Sequence, residues 1–265
     1  MKPKSRGFRP GHRKPSPQPA APTEHRNDAG TEWIYGTHAV AAALANPRRR
    51  AQKLVVIQPA RERWTERAAQ RNLQIEVADE REFGRILGGN AVHQGVALRA
   101  DPLPLATLED LLDKPAGSRF ALILDQVTDP HNVGAILRSA AAFGVDAVIM
   151  QDRHAPPMTG VVAKAASGAI DVVPVVKVVN ISRTLGELKD SGFTAIGLAE
   201  EATAPLSDVK IRGDVALVLG AEGEGLRRLV RDTCSVLAKL PTNPQLPSLN
   251  VSNAAAIALY ELRRQ

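Results

Sequence analysis

Three stretches of the chain carry side chains suited to gripping a polar ligand and doing chemistry on it. In residues 246–253, Leu-Pro-Ser-Leu-Asn-Val-Ser-Asn, the polar Ser248, Asn250 and Ser252 alternate with Leu249 and Val251. In an extended backbone the three polar groups share one edge and the apolar pair faces the other. Asn253 to Leu262 then reads as a buried helix, with Ser252 or Asn253 as its N-cap and free backbone N–H groups that suit an anion or a ligand's polar edge. In residues 125–134, Asp-Gln-Val-Thr-Asp-Pro-His-Asn-Val-Gly, a loop runs into a helix that continues through Phe143. Val133, Ile136, Leu137, Ala140 and Ala141 form its buried stripe, and Arg138 falls on the opposite side with Gly134 one turn before it. That spacing leaves room beside the guanidinium for a phosphate or ribose. In residues 220–225, Gly-Ala-Glu-Gly-Glu-Gly, three glycines allow positive φ and close approach of a ligand, and Glu222 places a carboxylate among them.

Taken singly, each stretch has an inert counterpart: an ordinary capped helix, a solvated surface arginine, a plain glycine turn. Other chemistries fit less well. The glycine stretch lacks the Lys-Ser/Thr of a Walker loop, and its spacing is not that of a dinucleotide fingerprint. His131, Ser248 and Asp129 would be the members of a hydrolytic triad, but no nucleophile elbow is present. The six histidines are scattered and the single cysteine, Cys234, is isolated, so no metal-ligand spacing appears and no metal is expected. Cys234, at the start of a strand, reads as core.

The elements that position these stretches are legible in the apolar runs. Strand candidates at 120–124, 146–150, 172–176, 193–198, 215–219 and 235–239, with helical patterns between most of them, predict a parallel sheet covered on both faces. Ligands of such sheets sit beyond the C-terminal strand ends, and all three stretches follow strands. Upstream, a smaller alternating α/β unit is expected, with a helix over His38 to Ala45 capped by Thr37, strands at 53–57, 73–77 and 95–99, an amphipathic helix at 61–71 and another opened by Asp79. Asp101 to Pro104, with two prolines in four residues, reads as a linker. Residues 1–30 hold seven Lys/Arg against two acids, which leaves 27 Lys/Arg against 26 acids for the rest. With six prolines and few large apolar residues, this tail is expected to be disordered and to add salt-sensitive attraction to nucleic acid phosphates. A hydrophobic share of 44% is that of a globular protein. No apolar run approaches the roughly 20 residues that span a bilayer, and no leader is evident, so a cytoplasmic protein without membrane partners is expected.

Asp129-Pro130-His131-Asn132 with Arg138, then Gly220-Ala221-Glu222-Gly223 with Gly225, then Ser248-Leu249-Asn250-Val251-Ser252 resemble, in order and spacing, the three motifs of the SpoU/TrmH family of RNA ribose 2′-O-methyltransferases. Ile34-Tyr35-Gly36-Thr37-His38-Ala39-Val40 and His93-Gln94-Gly95-Val96 resemble the L30e-like substrate-binding domain attached to the bacterial members that methylate a guanosine of 23S ribosomal RNA. The resemblance covers about residues 33–265. The basic tail over 1–30 lies outside it. The expected domains are an L30e-like domain over 31–100, a linker and short helix over 101–118, and over 119–265 a methyltransferase domain for which the resemblance implies the α/β-knot (SPOUT) class, its C-terminal segment threaded through a loop. The resemblance also implies an S-adenosylmethionine cofactor, an RNA substrate and a homodimer. By motif position, Gly220, Ala221, Gly225, Leu240, Ser248 and Leu249 are expected at the cofactor, and Asn132, Arg138, Glu222, Ser248, Asn250 and Ser252 at the reaction site, with Glu222 and Asn132 fixing the guanidinium and ribose. The sequence departs from many relatives before the third motif, reading Leu-Pro-Thr-Asn-Pro-Gln-Leu-Pro where they have Ile-Pro-Met and a glycine. A transfer RNA substrate and an RNA-binding homologue without activity are the remaining readings.

Overall fold

The computed structural model describes residues 30–89, 91–153, 155–158, 160–243, 245 and 248–264. The expected basic tail, Gly30 apart, lies outside them. The described chain forms two sheets. The first is built from β1 (Glu32–Tyr35), β2 (Ala51–Val56), β3 (Ile75–Val77) and β4 (Val96–Ala100), in the order β1-β4-β2-β3. β4 runs antiparallel to both its neighbours, whereas β2 and β3 are parallel. Helices α1 (Thr37–Ala45), α2 (Arg61–Gln70) and α3 (Glu80–Leu87) connect them.

Two details differ from expectation. The edge strand β1 falls where no strand is predicted, since Glu-Trp-Ile-Tyr buries only Ile34 completely and has no apolar run to reveal it. Thr37 does not cap α1; Gly36 holds the N-cap position at φ 90, and the side chain of Gln94 accepts the bond from the Thr37 N–H (2.8 Å). Asp79 does cap α3, accepting from the Glu82 N–H (2.9 Å).

After α4 (Leu108–Leu112) come β5 (Phe120–Leu124), α5 (Pro130–Ala142), β6 (Ala147–Gln151), α6 (Gly160–Ala165), β7 (Val175–Val178), α7 (Ile181–Asp190), β8 (Thr194–Leu198), β9 (Val215–Leu219), α8 (Arg228–Thr233), β10 (Val236–Ala238) and α9 (Val251–Arg264). The six strands stand in the order β10-β8-β9-β5-β6-β7 and every pair is parallel. Alternation along β5 explains the continuous apolar run. Phe120, Leu122 and Leu124 join the core beneath α5 and α9, while Ala121 and Ile123 join the core beneath α7 and α8. The strand expected at 172–176 begins only at Val175, because residues 169–171 form a 3₁₀ turn and leave Val172 exposed.

Two buried arginines hold this frame. Arg119, just before β5, reaches Asp214, just before β9, through Nε (2.9 Å) and Nη2 (2.7 Å), pinning the two central strands side by side. Arg49 of the small sheet's unit bonds both Glu32 (2.5 Å) and Asp171 (2.9 Å), the latter from the large one. Beside that junction lies a cavity of about 670 Å³ lined by Pro104, Met158 and Val173 among others. It opens at the N-terminal side of β7, away from the loops that carry the three motifs.

Candidate active site

The three motif loops leave the C-terminal ends of β5, β9 and β10. The chain moves outward in one direction from β5 and in the other from β9, so a crevice opens between these neighbours, the position where open parallel sheets bind ligands. There the side chains of Asn132, Glu222 and Asn250 meet. Glu222 Oε1 accepts from Asn132 Nδ2 (3.0 Å), from Asn250 Nδ2 (2.7 Å) and from the Val251 N–H (3.4 Å). Asn250 Nδ2 also donates to Asn132 Oδ1 (3.0 Å). All three donors to the carboxylate are neutral, so its charge is not cancelled within the network.

Asn250 does double duty. Its Oδ1 accepts from the backbone N–H of Ser252 (2.9 Å) and Asn253 (3.4 Å) and from Ser252 Oγ (2.6 Å), and its backbone carbonyl takes the first helical bond, from Ala254 (2.9 Å). Asn250, and not Ser252 or Asn253, is therefore the N-cap of α9, and Ser252 lies in the first turn instead of on a strand edge. The Asn250 amide serves both sides at once, its Oδ1 accepting from the first turn while its Nδ2 donates to Glu222 and Asn132. On the opposing loop, Asp129 caps α5 by accepting from the His131 N–H (3.0 Å), which removes it as the orienting acid of a triad.

Gly134 acts differently from expectation. A Cβ on Gly134 would come within 2.4 Å of Ala165 Cβ, so this glycine serves the close approach of α5 to the end of α6 and makes no space for a ligand. A Cβ on Gly220 would lie 2.1 Å from the carbonyl carbon of Gly225. Ala221 and Gly225 exchange both backbone bonds (3.2 and 3.0 Å), with Gly223 at φ 82 and Gly225 at φ 66. The loop thus closes tightly on itself and lifts Glu222 to its tip.

Arg138 does not enter the network. It stands six residues past Asn132 on the exposed face of α5, about 9 Å further along the axis, and no ion pair with a described residue holds it. Glu222 engages the two asparagines instead of this guanidinium. Ser248 and Leu249 are exposed, Leu249 at 40%, and Leu240 packs half-buried against the core under α5.

One pair escapes sequence reasoning altogether. Asp125 is fully buried and binds Arg227 through the Arg227 N–H (3.0 Å) and Nε (2.7 Å), tying the loop after β5 to the loop after β9. An acid directly after a continuous apolar strand is the only local signal for it. Cys234 is half-buried, its Sγ donates to the Val230 carbonyl (3.3 Å), and burial pushes the thiol up to about 11, so it remains protonated and unreactive. Among the described residues no group of three His, Cys, Asp or Glu could hold a metal ion, and no helix is long and apolar enough to cross a membrane.

Against known proteins, residues 119–260 match the SpoU rRNA Methylase family. The chain belongs to the SpoU family. Residues 33–106, which hold all of the first sheet but Glu32, match the family described as RNA 2′-O ribose methyltransferase substrate binding. Similar SpoU-type relatives include the 23S rRNA (guanosine-2′-O-)-methyltransferase RlmB of Pseudomonas aeruginosa, 40% identical over 241 residues that cover 88% of this chain and 96% of the relative. The enzyme of the same name from Ralstonia nicotianae is 41% identical over 240 residues, 89% of this chain and 96% of its own length. Among solved structures, the AdoMet-bound rRNA methyltransferase of Sinorhizobium meliloti superposes with a TM-score of 0.76 at 23% identity, covering 91% of this chain and 90% of that one, and shares the SpoU fold.

Proposed function

We infer that this protein transfers a methyl group from S-adenosylmethionine to a ribose 2′-hydroxyl of RNA, a guanosine of 23S ribosomal RNA, in the cytoplasm. The observation that carries the reading is the Asn132–Glu222–Asn250 network, which joins three motifs dispersed over some 120 residues in a chain of the SpoU family. The full-length relatives named for that reaction support the substrate.

The rim suits the cofactor on two counts. Leu249, next to the Asn250 that bonds Glu222, offers exposed apolar surface at the rim. The uncancelled carboxylate of Glu222 favours a cation, as a sulfonium is, and would repel an anionic ligand. We assign cofactor contacts to Gly220, Ala221, Gly225, Leu240, Ser248 and Leu249. When bound, the cofactor supplies a methyl group on a positively charged sulfur. The chain's own residues align the acceptor and manage charge on its oxygen. Asn132 and Asn250, held by Glu222, orient the ribose, with Ser248 and Ser252 alongside. Arginine does not give up its proton in proteins, so Arg138 acts as a cation: it holds the adjoining phosphate and stabilises the 2′-oxygen as its proton departs to phosphate or water.

The unit over residues 31–100 recruits the RNA. We assign the knot of the family to the C-terminal part of the chain, a reading supported by Asn250, which stands beside Glu222 and Asn132 although β10 is the sheet's outer strand. The protein acts as a homodimer packed through α9, where Ile257 (47%) and Tyr260 (56%) remain exposed and Tyr260 meets Phe143 edge-on at 6.2 Å. Arg138→Ala abolishes methyl transfer to 23S ribosomal RNA and leaves S-adenosylmethionine affinity nearly intact. A tritiated-methyl assay run beside calorimetry tests this, and retained turnover removes Arg138 from the mechanism.

A further inference from the structure

The linker at residues 101–104 is not all that joins the small sheet's unit to the large one. Residues 160–171, α6 and the 3₁₀ turn after it, sit directly on the small unit. A Cβ on Gly160 would lie 2.5 Å from the Trp33 carbonyl oxygen on β1 and 2.9 Å from the Tyr35 ring, and one on Gly168 would lie 2.4 Å from Ala42 Cβ on α1. Only glycine admits so close a backbone. Ala163 and Ile170, from the same segment, complete the apolar core of Ile34, Val40, Leu54 and Leu98.

The segment ends on a buried charge. Asp171, its side chain 1% exposed, accepts from Arg49 Nε (2.9 Å) and Nη2 (3.2 Å) and from Asn46 Nδ2 (3.1 Å), all of the small unit. Arg49 also donates to the Asp101 carbonyl (3.1 Å), so the linker is tied to the same guanidinium. Such a pair adds little net stability, yet parting it leaves a charge buried and alone, and the two surfaces therefore cannot slide past each other without a penalty. On its other side the segment meets α5, where a Cβ on Gly134 would come within 2.4 Å of Ala165 Cβ and 2.9 Å of the Ala166 nitrogen. Asn132 of the catalytic network lies two residues before that glycine.

We propose that residues 160–171 are a fixed spacer that sets the distance and angle between the RNA-recruiting unit and the catalytic network, with Asp171 and Arg49 as the positioning residues that lock it. RNA gripped by the small unit is then presented to Asn132 in one pose, and the span of the spacer selects which ribose comes within reach. Holding a reactant in one pose removes orientational freedom before the reaction and so raises its rate. A unit swinging on a free linker, the ordinary expectation for joined domains, would give up that gain. The proposal rests on the RNA-methylating reading above and adds to it how the methylated nucleotide is selected.

Asp171→Ala removes the three bonds across the junction and leaves Arg49 its partner Glu32 (2.5 Å). Pulsed EPR between nitroxides at Arg63→Cys and Asp190→Cys, exposed positions of the two units, in a full-length Cys234→Ala chain, gives one narrow distance distribution for the parent and a broad one for the variant. In the unlabelled chain kcat for a 23S rRNA transcript falls about tenfold. Transcript affinity by filter retention, and the affinity and stoichiometry of S-adenosylmethionine by calorimetry, stay at parental values. Asp171→Asn, isosteric and able to keep one acceptor, shows smaller shifts in the same directions. A narrow distribution in the alanine variant, or a broad one in the parent, overturns the proposal, as does an unchanged kcat. Val55→Ala, buried on the sheet face opposite the core that Ala163 completes, lowers the melting temperature and leaves kcat and the distance distribution unchanged. A kcat loss there as large as that of Asp171→Ala means general destabilisation and overturns the proposal too. The distance measurement needs no turnover, so a chain that shows its pattern and transfers no methyl group contradicts only the catalytic reading.

Discussion

Asn250 is the most informative residue to perturb, because it does two jobs that can be removed one at a time. Its Oδ1 caps α9 and its Nδ2 bridges Glu222 and Asn132. Loss of an N-cap costs about 1 kcal/mol. The bridge to a carboxylate would be worth more in the interior, but on this exposed rim it is set at about 1 kcal/mol. Asn250→Ala removes both, so a loss of about 2 kcal/mol is expected. Asn250→Ser keeps a hydroxyl that caps and is too short to bridge, so its expected loss is about 1 kcal/mol. In a Glu222→Ala background the serine variant loses only the remaining bond to Asn132 and costs less than it does in the parent, while the alanine variant loses the cap as well. Urea denaturation of the four single and double variants with their parents closes the cycle. Both Asn250 variants lose methyl transfer, since each leaves the ribose without its orienting amide. Equal losses for serine and alanine, or a coupling with Glu222 below about 0.3 kcal/mol, would show that the network does not hold the third loop and would refute the reasoning.

Other outcomes follow from neighbouring contacts. Burial raises the Asp214 carboxyl, but the Arg119 guanidinium and the N–H groups of Arg119 and Gly117 together hold it below the usual range. A depressed folded-state value means stability that is present above the ordinary aspartate range and lost as pH falls below about 4. Asp214→Asn is therefore expected to lose about 3 kcal/mol at pH 7 and to show less acid sensitivity than the parent, as read by urea midpoints at pH 7 and pH 3.5. Gly220→Ala forces a Cβ into Gly225 and opens the loop, so S-adenosylmethionine affinity falls at least about tenfold by calorimetry, more than 1.4 kcal/mol. Tyr260→Asp places a charge on the exposed face of α9 and yields a monomer in sedimentation velocity with its melting temperature within a few degrees of the parent.

Much of this protein is written locally. The strands at 120–124 and 215–219 are continuous apolar runs because both faces of the sheet are covered, and they fall where the pattern places them. Asp79 announces α3 by a cap that needs only the next three residues. The three motifs are likewise short enough to be recognised without a fold, as are the glycines of residues 220–225. What those residues touch was not legible. Asn132 and Asn250 are 118 positions apart and Asp125 and Arg227 are 102 apart; only the strand order brings each pair together. The role of Gly134 turned on Ala165 of another helix, and the N-cap of α9 proved to be Asn250, which also reaches Glu222. By itself the sequence determined the elements, their apolar faces and the types of side chain available for chemistry, because those depend on residues within a turn or two. The tertiary structure alone decided which carboxylate holds which amide and which ion pair ties the loop after β5 to the loop after β9, because such facts depend on distances that the order of strands in the sheet creates.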